Sequence, residues 1–235
     1  METNADDLFD KLRRQMVADI TAHTVFACAE IGKAALSARV MEAMGQIPRH
    51  EFVPAEIRAY AYADTPLPIG CNKTISQPFI VALMTDLLDP QAEDRVLEIG
   101  TGLGYQAAVL SGLVRQVYSV EVIEELARQA KKRLARLRLR NVELRTANGY
   151  YGWPEHAPYD KIVLTAAPEL IPPALLQQLK PGGKMVLPAG LPDTQKLLVV
   201  EKAKDGRIAT RELLRVRFSL MEVNPASEAS PRSPS

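Results

Sequence analysis

The chain has 235 residues, 47% of them hydrophobic and 24% charged, with a formal net charge of +1 at pH 7. This length fits one domain with a sizeable core, and so balanced a charge gives no global field that would attract nucleic acid or an anionic membrane. Two cysteines, Cys28 and Cys71, provide neither a disulfide framework nor a metal cluster, and no secretory signal or membrane span is evident, so we expect a cytoplasmic protein.

Residues 1–90 are expected to form helices and extended segments that help to build a substrate cleft. The predicted helices cover residues 6–20, 37–44 and 78–88, and irregular, proline-rich or turn-rich segments cover residues 47–54 and 60–70. Ser37 suits the N-cap of the second helix and Gly45 its end. Pro78 suits the first turn of the third helix because that position needs no backbone donor.

Strands and helices alternate from residue 94 onward, which indicates a parallel α/β sheet. The predicted strands cover residues 95–99, 116–122, 142–147, 160–166 and 184–188; the helices cover residues 105–113, 123–139 and 173–179; residues 180–183 form a tight turn. Two further β-rich runs, residues 196–202 and 211–220, flank a turn signal at residues 204–206 and predict a hairpin at the sheet edge.

The predicted fold is therefore α/β, with a doubly wound, mostly parallel sheet, an N-terminal helical extension and a C-terminal β-hairpin. Residues 91–222 would form its core. Residues 223–235 are rich in proline and serine with little apolar content, which predicts a disordered tail. We expect one compact domain overall.

A glycine-rich turn follows the first strand of this sheet. Residues 95–105 read R-V-L-E-I-G-T-G-L-G-Y, so Gly100, Gly102 and Gly104 lie between a buried strand and a helix, where a ligand can come close to the backbone. A dinucleotide fingerprint would need another glycine where Tyr105 stands. The charge of Glu98, just before the turn, would suit a cationic ligand better than a pyrophosphate.

This pattern is similar to the first motif of S-adenosylmethionine-dependent methyltransferases. A dinucleotide site, or an ordinary turn of a doubly wound sheet, stays open as an alternative. The second strand ends in Glu121, whose carboxylate could accept both hydroxyls of a ribose, or could be merely an exposed acid at a strand end. Basic residues at 131–140 lack interleaved aromatic rings, so we interpret them as a solvated helix face and expect no nucleic-acid partner.

Several segments outside the glycine motif give a more specific resemblance, which runs from about residue 40 to residue 218. They are residues 41–44, 47–54, 61–64, 67–70, 74–78, 96–106, 149–154, 157–160, 171–179 and 182–183. Together they resemble the protein-L-isoaspartate O-methyltransferase family. The most selective part is Thr74-Ile-Ser-Gln-Pro78, combined with Phe-Val-Pro at residues 52–54.

The resemblance implies transfer of the methyl group of S-adenosylmethionine to the free α-carboxylate of L-isoaspartyl residues, as a repair of aged proteins. It implies isoaspartyl-containing proteins and peptides as partners. We expect no metal, because His23 and His156 have no metal-ligand spacing with Cys28 or Cys71, and we expect a monomer. A carboxylate acceptor is already ionised at neutral pH, so positioning and desolvation are expected to replace a strong general base.

Ser76 matches the active-site serine of the family, although capping of the following helix is an equally good interpretation of this residue alone. The resemblance also implies a set of cofactor-binding residues. They are Thr74, Ile75, Ser76, Glu98, Gly100, Thr101, Gly102, Gly104, Glu121, Val122, Asn148, Gly149 and Thr165.

Three features depart from the family pattern. Asn148 stands where the family usually has aspartate, Lys73 stands where it usually has glutamine or a small residue, and residues 219–222 replace its usual strand end. Two alternatives therefore stay open: a related enzyme that methylates a carboxylate of one dedicated peptide or protein, and a binding module for S-adenosylmethionine without catalysis.

Overall fold

The computed structural model of the chain describes residues 3–222, so the expected disordered tail at residues 223–235 lies outside the described residues. The helices are α1 (Thr3–Phe26), α2 (Cys28–Ile31), α3 (Ala38–Gln46), α4 (Pro78–Leu88), α5 (Tyr105–Ser111), α6 (Glu124–Arg136) and α7 (Pro173–Gln178). The strands are β1 (Leu67–Gly70), β2 (Lys73–Ile75), β3 (Arg95–Ile99), β4 (Gln116–Glu121), β5 (Val142–Thr146), β6 (Tyr159–Leu164), β7 (Leu179–Ala189), β8 (Lys196–Lys202) and β9 (Ile208–Arg215). Short 3-10 helices cover Arg49–Phe52, Ala55–Tyr60, Gly149–Tyr151 and Pro154–His156.

The main sheet has the strand order β5-β4-β3-β6-β7-β8-β9, and a separate two-stranded sheet pairs β1 with β2. From β5 to β7 the neighbours are parallel, whereas β8 and β9 each run antiparallel to the strand before them. The predicted α/β fold, its mostly parallel sheet and its C-terminal hairpin are confirmed. Because β4 and β6 lie on opposite sides of β3, the chain reverses its winding at β3, and such a switch point opens a crevice at the carboxyl ends of the strands.

Both faces of the sheet are buried, as expected of parallel strands that helices cover on each side. Val96, Val117 and Val163 belong to a large apolar cluster that also takes in buried residues of α1, α3, α4 and α5. Leu97 and Ile162, from the same strands, belong to a second cluster with α7 on the opposite face. No helix within residues 3–222 has the length and apolar character required to span a bilayer.

The bounds of α4, β3 and β8 agree with the predictions, whereas several predicted helix and turn boundaries are wrong. Helix α1 covers Thr3–Phe26 rather than residues 6–20, and α6 ends at Arg136 rather than at residue 139. Helix α3 continues through Gly45 to Gln46, because a single glycine costs a helix only about 1 kcal/mol and Pro48 ends it by forcing Ile47 into an extended conformation. The predicted turn at residues 180–183 lies inside β7 as a bulge, since Leu179 already pairs with Tyr159 before pairing resumes at Lys184.

The second hairpin strand also differs from its prediction, because β9 occupies Ile208–Arg215 and the chain then leaves the sheet. The side chain of Gln195 replaces the missing ladder contacts: its Oε1 accepts from the Phe218 N–H at 2.6 Å and its Nε2 donates to the Phe218 carbonyl at 3.1 Å. These bonds direct residues 219–222 toward the carboxyl end of β6, where Ala167 and Leu220 form an isolated parallel bridge.

Candidate active site

An open cleft of about 840 Å³, which includes space open to solvent, lies at the carboxyl ends of β3 and β4. Its place is the switch point of the sheet, where open α/β sheets bind their ligands. Most of the predicted cofactor-binding residues line it: Thr74, Ile75, Ser76, Gly100, Thr101, Gly102, Glu121, Val122, Gly149 and Thr165. Three of the predicted residues do not line it, namely Glu98, Gly104 and Asn148.

The glycine turn brings backbone against the floor of the cleft. Gly100 has φ +96°, a conformation that L side chains rarely adopt, and a Cβ added there would lie 2.6 Å from Thr165 Oγ1. The Thr165 hydroxyl in turn donates to the carbonyls of Ile99 and Gly100. The ends of β3 and β6 are therefore fixed to each other directly beneath the place where a ligand would lie.

Glu121 presents an oriented carboxylate at the end of β4. Its Oε2 accepts from the Gly102 N–H at 2.7 Å and its Oε1 accepts from the Ile123 N–H at 3.0 Å. Burial raises the pKa of this carboxyl, while these two backbone donors oppose the shift. Each carboxylate oxygen keeps a second lone pair, so both can still accept from the hydroxyls of a ligand in the cleft.

Glu98 differs from its prediction. Its side chain is fully buried below the turn, where one carboxyl oxygen is hydrogen-bonded to the Ser119 hydroxyl and Oε1 has no partner within residues 3–222. Burial raises the pKa of this carboxyl to about 8, so it is mostly protonated at neutral pH. Its charge therefore does not face a ligand. Its side chain connects to the cleft through Ser119, whose hydroxyl lies 2.6 Å from the hydroxyl of Thr101.

Asn148 lies behind the cleft, next to Gly149. Its Oδ1 accepts from the Tyr150 N–H at 3.0 Å, and its buried Nδ2 has no hydrogen-bond partner within the described part of the chain. A Cβ at position 149 would lie 2.4 Å from Ile99 Cγ2, so only glycine leaves this wall open. The amide thus offers a donor where the family's usual aspartate would offer an acceptor.

Ser76 lies where β2 leads into α4. The alternative interpretation of Ser76 as a helix cap is wrong, because Gln77 occupies the N-cap position of α4 and Pro78 begins the helix. The Ser76 hydroxyl makes no hydrogen bond to any residue between 3 and 222, although the Ser76 carbonyl accepts one from Arg49 at 2.7 Å. This hydroxyl can therefore bond a ligand without breaking an existing contact.

A second groove, of about 890 Å³ including solvent-open space, meets the cleft at Ser76. Thr74, Ser76, Thr165 and Ser219 line both. The outer part of the groove carries His23 and Phe79 on one side and residues 214–218 on the other. A small molecule in the cleft and an extended chain in the groove could therefore both reach the Ser76 hydroxyl, each from its own side.

Residues 219–222, which we call the covering segment, line the cleft on one side, and the sequence did not predict this. The Ala167 N–H donates to the Ser219 carbonyl and the Met221 N–H to the Ala167 carbonyl, both at 2.9 Å. At the far end, Lys73 Nζ lies 2.5 Å from Glu222 Oε1. Two of the three departures from the family pattern, Lys73 and the covering segment, are thus in contact at the mouth of the cleft.

Comparison with known proteins gives one consistent result. The model of the family described as protein-L-isoaspartate(D-aspartate) O-methyltransferase matches residues 23–224. Protein-L-isoaspartate O-methyltransferase 1 of Polaromonas sp. strain JS666 is 60% identical over 214 residues, which cover 91% of this chain and 91% of the relative. The protein of the same name from Cupriavidus necator is 56% identical over 217 residues, covering 92% of this chain and 84% of the relative.

Solved structures agree with the sequence relatives. A protein-L-isoaspartate O-methyltransferase with 30% identity has a TM-score of 0.77, with 90% of this chain and 66% of that chain covered. A Plasmodium falciparum protein described by the same activity, in complex with S-adenosyl-L-homocysteine, has 21% identity and a TM-score of 0.75, with 90% and 99% covered. The second likeness concerns the fold alone.

Proposed function

This chain belongs to the protein-L-isoaspartate(D-aspartate) O-methyltransferase family, and from that membership we propose how its own residues carry the reaction. The reaction moves the methyl group of S-adenosylmethionine to the free α-carboxylate of L-isoaspartyl residues in damaged proteins. Relatives with 56–60% identity carry this name, which supports a repair enzyme over a binding module or an enzyme with one dedicated substrate.

The residues of the cleft fit S-adenosylmethionine. The observation that carries this assignment is the Glu121 carboxylate, which two backbone donors hold in place and whose remaining lone pairs suit the two hydroxyls of a ribose. Gly149 leaves room at the adjoining wall for the adenine ring.

The backbone of the glycine turn would lie against the remaining part of the cofactor, next to Thr101 and Gly102. When bound, S-adenosylmethionine supplies a methyl group on a positively charged sulfur, and its transfer leaves a neutral methyl ester and S-adenosyl-L-homocysteine. The covering segment lines the cleft beside this place, and removal of water from the reacting groups favours an uncharged product over two separated charges.

Ser76 would orient the acceptor. Its free hydroxyl lies where the peptide groove meets the cofactor cleft, so it can donate to one oxygen of the isoaspartyl α-carboxylate and leave the other toward the methyl group. An α-carboxyl has a reference pKa of about 3.5, so the acceptor is ionised without help. The rate then depends on alignment and desolvation rather than on proton removal.

We also propose a compartment, an oligomeric state and separate roles for two parts of the chain. Cys28 and Cys71 are free and exposed, which supports a reducing, cytoplasmic compartment. The protein would be a monomer, in which residues 1–90 help to form the peptide groove and residues 91–222 form the methyltransferase core. Size-exclusion chromatography with light scattering would give about twice the mass of 25.9 kDa if the monomer assignment were wrong.

The decisive experiment uses two peptides that differ only in one linkage. With isotopically labelled S-adenosylmethionine, the isoaspartyl peptide should gain a base-labile methyl ester while its normal aspartyl twin stays unlabelled. Labelling of both peptides to the same extent, or of neither, would contradict the proposed function.

A further inference from the structure

Arg49 is the largest of the fully buried side chains, and its contacts join the two halves of the site. It begins the 3-10 helix Arg49–Phe52 and has 0% of its surface exposed. Its Nε donates to the Ala61 carbonyl at 2.8 Å, and its Nη2 donates to the Ser76 carbonyl at 2.7 Å. The guanidinium carbon lies 4.8 Å from the centre of the Tyr105 ring, and Tyr105 begins α5 directly after the glycine turn.

The positive charge of Arg49 has no counter-charge in contact with it. No aspartate or glutamate of residues 3–222 lies within 4.0 Å of the guanidinium, and Nη1 has no hydrogen-bond partner in that part of the chain. Burial lowers the pKa of Arg49 from 12.5 to about 10, so the group stays charged at neutral pH. A buried, uncompensated charge destabilises a fold, so its presence beside Ser76 requires an explanation.

No ionisable group of residues 3–222 forms an ion pair with this guanidinium. Tyr105 and Tyr62 have pKa values that burial raises, so both are neutral phenols at pH 7. The carboxylate whose charge acts on Arg49 is that of Asp64, which accepts hydrogen bonds from the Phe79 N–H and the Gln77 side chain and is hydrogen-bonded to His23. The charge of Arg49 is therefore balanced only from a distance, by a carboxylate that other groups hold in place.

We propose that Arg49 is a positioning residue for the acceptor: its guanidinium fixes the Ser76 backbone, and its charge draws the substrate α-carboxylate to the Ser76 hydroxyl. This proposal rests on the proposed function, because it takes an anionic acceptor to bind beside Ser76.

The geometry gives the expected size of the effect. The Nη2–carbonyl contact and covalent geometry put the charge about 8 Å from a carboxylate at the Ser76 hydroxyl. With an effective dielectric constant near 20, two unit charges at that distance correspond to roughly a thirtyfold change in affinity. Because the groove is open to solvent, we expect about a tenfold change in the KM for the peptide.

A purely structural role of Arg49 would change the binding constants differently. A charge strengthens the binding of anions and weakens that of cations, whereas a packing defect weakens the binding of every ligand. S-adenosylmethionine is a cation, whereas S-adenosyl-L-homocysteine is not, so the field of Arg49 opposes the first ligand relative to the second. Removal of the charge should weaken the anionic acceptor and, at the same time, strengthen S-adenosylmethionine relative to S-adenosyl-L-homocysteine. A loosened fold would weaken all three.

The test compares Arg49→Gln with Arg49→Lys, since both keep a hydrogen-bond donor and only lysine keeps a charge. We expect Arg49→Gln to raise the peptide KM about tenfold and to lower the ratio of the Kd values for S-adenosylmethionine and S-adenosyl-L-homocysteine by threefold or more. Arg49→Lys should restore the peptide KM and the Kd ratio at pH 7. Its kcat should remain below the wild-type value, because an ammonium cannot reproduce the planar contact of the guanidinium with two carbonyls. Arg39→Gln is the control, as Arg39 also bridges two carbonyls but lies outside both spaces of the site.

An unchanged Kd ratio and KM in a folded Arg49→Gln variant would overturn the proposal, as would an equal loss for all three ligands. If Arg49→Gln does not fold, the wild-type protein still provides a test. An isoaspartyl peptide should then inhibit about tenfold better than its uncharged α-carboxamide analogue, and equal inhibition would reject a positive acceptor site. Absence of any methylation by the wild-type protein would instead reject the proposed function, whatever the Kd ratio of the variants.

Discussion

The replacement of Glu121 by glutamine tests the assignment of the cofactor cleft. In the native site each carboxylate oxygen accepts one backbone N–H, from Gly102 at 2.7 Å and from Ile123 at 3.0 Å. A glutamine has only one acceptor oxygen, so in either orientation its NH₂ group must face one of these donors. That side loses both the backbone hydrogen bond and the acceptor for one ribose hydroxyl.

The magnitude follows from the kind of bond that is lost. A hydrogen bond to a charged group contributes about 1.5–3 kcal/mol, and the second ribose contact weakens when the carboxylate becomes a neutral amide. We therefore expect a loss of about 3 kcal/mol, which is roughly a hundredfold rise in Kd for S-adenosyl-L-homocysteine. The fold should lose little stability, because the change also removes the burial cost that raises the pKa of Glu121.

Isothermal titration calorimetry with S-adenosyl-L-homocysteine measures this effect directly. Glu124→Gln is the matched control, because Glu124 is an exposed acid in the first turn of α6 and does not line the cleft. A Kd for Glu121→Gln within threefold of the wild-type value, in a protein with an unchanged thermal midpoint, would refute the role of Glu121 in holding the ribose.

Three further predictions concern other parts of the site. Ser76→Ala should lower kcat on an isoaspartyl peptide by about tenfold to a hundredfold while the Kd for S-adenosyl-L-homocysteine changes less than twofold; the reverse pattern in the two constants would contradict an acceptor role. Glu98 has a folded-state pKa of about 8 against an ordinary value of 4.5, so the folded protein holds this proton more tightly than the unfolded chain does. The stability that the proton provides is complete below pH 4.5 and is lost, by about 1.4 kcal/mol per pH unit, as the pH rises to 8. Denaturant titrations from pH 5 to 8 should therefore show a steeper loss of unfolding free energy in the wild type than in Glu98→Gln, and parallel curves would show that the carboxyl is ionised throughout. Glu222→Gln should break the contact with Lys73 and speed the dissociation of S-adenosyl-L-homocysteine by about threefold at low salt, with the difference shrinking at 1 M salt; equal off-rates in stopped-flow displacement would remove any role of this ion pair in closing the cleft.

The glycine turn and its flanking elements could be predicted because local rules determine them. Pro78 begins α4 where the sequence predicts it, and the positive φ values of Gly100 and Gly104 require residues without a Cβ. The buried valine and leucine run of β3 has the pattern of a strand covered on both faces. These features depend on residues a few positions apart.

The properties that the sequence did not provide depend on long-range packing. The charge expected at Glu98 is suppressed by surroundings that residues 98–104 alone do not reveal. Lys73 and Glu222 are 149 positions apart, and Arg49 reaches the Ser76 carbonyl across 27 positions. Nothing in the local pattern around Arg49 indicates that its guanidinium is fully buried, since arginine in a proline-rich segment is normally exposed.

A crystal structure of the protein with S-adenosyl-L-homocysteine and an isoaspartyl peptide would test the central claim most directly. The ribose hydroxyls should lie within hydrogen-bond distance of the Glu121 carboxylate, and the peptide α-carboxylate should accept from the Ser76 hydroxyl with the peptide chain in the adjoining groove. A nucleoside bound away from Glu121, or a peptide whose α-carboxylate lies far from Ser76, would contradict the account.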